Sequence, residues 1–402
     1  MFKRIVGGCL LWCLAMPLVA ATAQQETIVA HTKAKFDEQM DKLNIPGGAL
    51  AIVWRDQLLA IHTVGVRQAG QPDAVNADTV FRLASVSKTF AGNIMVQLAQ
   101  EQRLDLQAPL TRYVPGLVLR TPQLEQQLTL EQVLAQRSGY WSHAFEDLLE
   151  ADQTPEQIKP RIQELSPVCP VGQCYSYQNV LFGFLTKAAE QSSGLPYEEL
   201  LAEKIFRPLG MATASVGLVQ LLANPNRAWP HQRGGRGWTS MKPKANFYRV
   251  PTAAGVNASA RDLAVYLQAM LGAAPQVFRP ELLQALQQPQ VRVPNRPRWP
   301  IWQQFSEVSA WYGLGWRVVQ YDEHKLFYHA GVVDGYRPYI AYSPSTGYGI
   351  VLLTNAEVDI AGTVAANFWQ DVLGDPEKTA QQRRAAEKQL QKTSKKRSRR
   401  AR

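Results

Sequence analysis

The sequence predicts an α/β fold. An antiparallel sheet assembled from both ends of the chain is flanked by N- and C-terminal helices, with a mostly helical subdomain inserted between its halves. Three observations predict it. Strand-like runs lie towards both ends of the 402 residues, helical segments and long loops fill the middle, and 46% apolar composition is ample for one large core.

Taken in order, the opening MFKRIVGGCLLWCLAMPLVAATAQQ sets Lys3 and Arg4 before an apolar run from Ile5 to Ala20. Ala21-Thr22-Ala23 follows, a small-x-small cleavage pattern. Residues 1–23 are read as a signal peptide, with a mature chain from about residue 24 exported to a periplasmic compartment. Apolar residues recur at helical spacing from Ile28 to Leu43, and Asn44-Ile45-Pro46-Gly47-Gly48 ends that helix. ALAIVWRDQLLAIHTVGV reads as two strands turning at Arg55-Asp56-Gln57. The sheet part is thus 24–84 and 305–375, and the helical part is 85–304. Near the C-terminus WYGLGWRVVQY, HKLFYHAG, GYRPYIAYSP and GYGIVLLTN read as four strands, and Ile360, Val364, Phe368 and Val372 mark the buried stripe of a closing helix.

Charge and cysteines narrow the function classes. Of the net +10, residues 377–402 hold +9, from 11 Lys and Arg against 2 Glu, and Lys3 and Arg4 hold +2, which leaves the body at −1. No specific nucleic-acid binding is expected of such a body. The tail, 376–402, has almost nothing apolar to bury and is read as disordered, either as a solubilising end or as a docking arm for an anionic surface. Once the leader is removed, Cys169 and Cys174 are the remaining cysteines. Five residues apart, with Pro170 and Gly172 between them, they form a candidate disulfide in an oxidising compartment, with a reduced pair as the alternative. A loop that short contributes only about 2 kcal/mol through chain entropy. Without a second Cys or His pair at ligand spacing, neither zinc nor another cofactor is expected.

Three polar clusters could carry chemistry. In FRLASVSKTF, Ser85 and Lys88 lie three apart at the start of a helix whose buried face is Phe90, Ile94 and Leu98. Either Ser85 is a nucleophile deprotonated by a desolvated lysine, or it caps an ordinary helix beside a solvated lysine. In CYSYQNVLFGFL, Tyr177 can share a lysine's proton and Asn179 can hold a substrate carbonyl; an N-cap and a packed tyrosine are the bland alternative. In YHAGVVDGY a strand ends at His329-Ala330-Gly331, and the backbone of Val332 could face a substrate.

Together and in this order, Ser-x-x-Lys, Tyr-x-Asn and a late His-x-Gly resemble the serine β-lactamase and penicillin-binding hydrolase superfamily, in particular its class C β-lactamase-like branch with its D-Ala-D-Ala peptidase and esterase members. SVSKTFAGNIMVQLAQEQRLDLQAPLTRYVPGL, LAQRSGY, PYEELLAEKIFRPLGM, YGLGW and HAGVVDGYRPYIAYSPSTGYGIVLLTN resemble its framework, so the likeness extends from about residue 28 to 374. It implies a β-lactamase/transpeptidase-like fold, Ser85 as acylated nucleophile, Lys88 as its proton acceptor and Tyr177 as proton carrier to the leaving group. It also implies Asn179, His329, Gly331 and Val332 at the substrate, with an oxyanion hole from the amides of Ser85 and Val332. The implied function is a periplasmic serine hydrolase acting on D-alanyl peptides or esters, without cofactor. A class C-type β-lactamase and a catalytically idle wall-binding protein are the alternatives.

The sequence departs from the family at His329, where lysine is typical of efficient β-lactamases, and at Ala330, where many relatives carry a hydroxyl. Both losses weaken recognition of an anionic β-lactam. An imidazolium at His329 is one expected source of the missing charge. Arg137, where the family often has threonine, is another, with a framework ion pair as its more ordinary use. No Gly-x-Ser-x-Gly elbow supports an α/β-hydrolase. Gly234-Gly235-Arg236-Gly237 sits in a polar loop rather than between a strand and a helix, which argues against a phosphate loop.

Overall fold

The computed structural model describes residues 22–235, 237–294 and 308–374. The expected leader falls outside them except for Thr22 and Ala23, and so do residue 375, the predicted tail 376–402 and the predicted boundary at 304–305. Helix α1, Ala23–Lys42, opens with a reciprocal capping box between Thr22 and Gln25, so it starts earlier than the Ile28 stripe predicts. Asn44, at φ +49°, turns the chain into strand β1, Gly47–Trp54, and Arg55 reverses it into β2, Gln57–Gly65.

The rest of the main sheet comes from the other end of the sequence. Strands β3 (Val291–Arg292), β4 (Ser309–Tyr312), β5 (Arg317–Tyr321), β6 (His324–Ala330), β7 (Tyr339–Ser343) and β8 (Tyr348–Thr354) complete eight strands in the order β2-β1-β8-β7-β6-β5-β4-β3. All pairings are antiparallel, and β1 joins the halves by lying against β8, Gly48 opposite Thr354. Alternation decides which layer each β1 residue enters. Leu50 and Ile52 meet Phe36 and Met40 of α1 and Phe368 and Trp369 of the closing helix, Ala361–Leu373. Ala49, Ala51 and Val53 join the opposite core with Phe90, Ile94 and Leu267. Burial on both faces, roughly 1.5–3 kcal/mol for each large apolar side chain, specifies the register, because a one-residue slip would invert both layers.

Three features differ from the sequence expectation. WYGLGWRVVQY is two strands broken at Gly313-Leu314-Gly315, because Gly315 adopts φ +83° there. The middle region also holds strands: Phe81–Arg82, Val256–Ala258 and Ser215–Val216 form a three-stranded sheet, and His231–Gly234 pairs with Gly237–Ser240. Helix α2, Ser87–Gln100, is no amphipathic surface helix, since every residue from Ser87 to Leu98 is buried. Cys169 and Cys174 are joined as a disulfide. No described helix is long and apolar enough to cross a membrane.

Candidate active site

Arg82 pairs with Asn257, and the amide of Leu83 donates to Val256 O at 2.9 Å, which holds the end of the short strand. Ala84 then takes φ +45°, a left-handed conformation that costs a non-glycine residue about 1–2 kcal/mol. This bend sets Ser85 in a 3-10 turn, Ala84–Val86, directly before α2, so Ser85 is half-buried among buried neighbours. Two glycines allow the close approach of other elements. A Cβ on Gly331, just past β6, would lie 2.5 Å from Leu83 O, and one on Gly315 would lie 2.2 Å from Lys88 O.

Lys88 is fully buried. Its Nζ lies 2.5 Å from Asn179 Oδ1, 3.0 Å from Ala253 O and 3.2 Å from Ser85 Oγ. Burial holds the amine well below the ordinary lysine range; Glu146 opposes that shift and Arg317 adds to it. The amide and peptide oxygens can only accept, so a neutral amine gives its two hydrogens to them. Its lone pair is left for the hydroxyl of Ser85. On the other side, Tyr177 OH donates to Ser85 Oγ at 2.9 Å, and burial, only partly offset by Arg317 and by the bond to Ser85, keeps the phenol protonated. Ser85 Oγ thus accepts from an acid and faces a base.

Asn179 opens the helix Asn179–Gly183, and its Nδ2 donates to Glu146 Oε1 at 2.7 Å. Ser85, Tyr177, Asn179, Glu146, Arg317 and Val332 all line one cleft of about 630 Å³, with Val332 49% exposed. Gly331 lies behind that wall and serves by its lack of a side chain. His329 departs from its expected role: it is fully buried and does not line the cleft. Its Nδ1 is 2.9 Å from Ala330 O, so that nitrogen carries the hydrogen, and Nε2 accepts from Tyr312 OH at 3.1 Å. Burial, then Arg317 and Lys88, push its pKa well below 6.5, so His329 is neutral.

The sequence profile of the Beta-lactamase family matches residues 32–372. The chain belongs to the Beta-lactamase family. Among curated relatives, it is 25% identical to Penicillin-binding protein 4 of Amycolatopsis lactamdurans, over 85% of this chain and 88% of that protein. It is 24% identical to the unguisins hydrolase ungD' of Aspergillus campestris, over 79% of this chain and 60% of the relative. Protein flp of Staphylococcus aureus is also 24% identical, over 83% of this chain and 62% of the relative. The chain therefore spans under two thirds of the length of these last two. A solved structure, the octameric penicillin-binding protein homologue from Pyrococcus abyssi, shares the fold with a TM-score of 0.75 at 23% identity, covering 87% of this chain and 78% of that one. Family and relatives support serine hydrolase chemistry in general.

Within this Beta-lactamase-family site, two cleft-lining residues escaped the sequence reading. Arg317 begins β5 right after the Gly315 bend and supplies the positive charge that His329 lacks, its guanidinium 5.4 to 5.9 Å from the rings of Tyr175, Tyr177 and Tyr312. Its place after YGLGW was the available signal. Glu146 had no local signal, because it reaches Asn179 only through the fold. Arg137 pairs with Glu131, the framework use.

Proposed function

We propose that the protein is an exported serine hydrolase that forms an acyl-enzyme on Ser85 and acts on D-amino-acid peptides or esters. The observation that carries this is the position of Ser85 Oγ, 3.2 Å from a buried amine and 2.9 Å from a protonated phenol. Lys88 takes the hydroxyl proton as Oγ attacks the substrate carbonyl, and the amides of Ser85 and Val332 receive the developing oxyanion. Tyr177 gives its proton to the departing amine or alkoxide and is reprotonated from Lys88. Water then attacks the acyl group, losing its proton to the same pair, and Ser85 is released. A disulfide at Cys169–Cys174, shortly before Tyr177, stiffens the approach to this residue.

The test is intact-protein mass spectrometry after exposure to a penicillin, with cleavage of a D-alanyl peptide and a short ester followed in parallel. A covalent adduct or turnover present in the parent and absent in Ser85→Ala supports the reading. No adduct, no β-lactam loss and no Ser85-dependent cleavage would leave a Beta-lactamase-family scaffold without this chemistry.

A further inference from the structure

The wall of the cleft around Asn179 differs in charge from the Arg317 side. Ser85, Lys88, Asn179 and Glu146 form one hydrogen-bonded series, so the Glu146 carboxylate stands three links from the nucleophile, with its side chain 17% exposed. Asn179 keeps one amide hydrogen for a substrate carbonyl, because its oxygen serves Lys88 and its other amide hydrogen serves Glu146, so the carboxylate lies beside the place where that carbonyl would sit. Glu146 itself is not saturated. A carboxylate offers about four acceptor positions, of which Asn179 takes one, while His143 Nδ1, on a side chain 59% exposed, lies 3.0 Å from Oε1 and 2.9 Å from Oε2 and shares a single hydrogen between them. Among the described residues, no Lys or Arg forms an ion pair with Glu146.

The carboxylate is also held in place. Tyr177 N donates to Ser142 Oγ at 3.1 Å and His143 N donates to Tyr177 O at 2.7 Å, so the segment leading to Glu146 is tied to the catalytic tyrosine. Leu149, fully buried, anchors the short helix Glu146–Glu150 from beneath. An N-acylated substrate offers this anion only one neutral amide N–H and brings a further carbonyl oxygen, an acceptor, close to it. An ammonium group meets it with a charge-assisted hydrogen bond.

We propose that Glu146 selects substrates whose acyl half carries a free ammonium group, such as amino-terminal D-aminoacyl esters and amides, over their N-acylated counterparts. This rests on acylation at Ser85 as read above. The experiment compares D-alanine methyl ester with N-acetyl-D-alanine methyl ester at about pH 6.5, where an α-amine of pKa near 8 is charged. The parent is expected to favour the free amine by about tenfold in kcat/KM, the discrimination that one hydrogen bond to a charged group supplies. Glu146→Gln should bring the ratio towards one. A purely structural role for Glu146 would lower both rates together and leave the ratio in place. A parent ratio of one or less, or an unchanged ratio in Glu146→Gln, overturns the proposal while Ser85-dependent hydrolysis stands. If neither ester is hydrolysed in a Ser85-dependent way, the acyl-enzyme reading falls and this inference falls with it.

Discussion

At Lys88 the physical demands of folding and of chemistry conflict. Its pKa is depressed in the folded state by burial, so the unfolded chain binds the extra proton below the usual value of 10.5. Stability from this residue is therefore full above that value and declines as the pH falls towards the folded pKa. Lys88→Met removes the titration. Its melting temperature relative to the parent should be highest at neutral pH and fall as the pH approaches 10, while turnover drops about 10²–10⁴-fold through loss of the general base. Calorimetry over that range decides the sign. His329 follows the same direction lower on the scale. It is depressed below 6.5 chiefly by burial, so stability is lost as the pH falls from 6.5 towards its folded pKa. His329→Gln should flatten that acid loss in urea titrations. Any difference between the pH–rate profiles of anionic and neutral esters should persist in His329→Gln, since His329 does not line the cleft.

Among the elements, the β4–β5 bend places Lys88. Gly315 combines φ +83° with an approach in which a Cβ would meet Lys88 O at 2.2 Å. Gly315→Ala is therefore expected to lower stability by about 1–3 kcal/mol and to reduce turnover by displacing the first turn of α2. The urea midpoint and kcat together check it. The same bend shows what was legible beforehand. The apolar strand runs, the closing-helix stripe and the Ser-x-x-Lys and Tyr-x-Asn motifs could be read because each lies within one short, contiguous stretch of sequence. The break inside WYGLGWRVVQY was hidden in a run apolar on both sides. That Lys88, Asn179 and Glu146 form one series, and that His329 turns inward to Tyr312, depends on contacts between distant segments that no window of sequence contains.

For the molecule as a whole, charge separates the body from its C-terminal tail. The body is near neutral and residues 377–402 hold 11 Lys and Arg against 2 Glu. If the tail docks the protein to an anionic surface, deleting residues 376–402 should abolish sedimentation with anionic vesicles at low salt and leave turnover of a small ester unchanged, within about twofold. Lost turnover would instead give the tail a part in the chemistry. The pairing of β1 with β8 has a further consequence. Gly48 lies opposite Thr354, so the sheet closes across about 300 residues of chain, a contact of high order that forms late. On the ribosome, Ser85 and Lys88 are made long before β6, β8 and the Gly331 turn that complete their surroundings. A nascent chain thus carries Ser85 and Lys88 without the rest of the cleft, and under the proposed reading acylation becomes possible only when its last strands arrive.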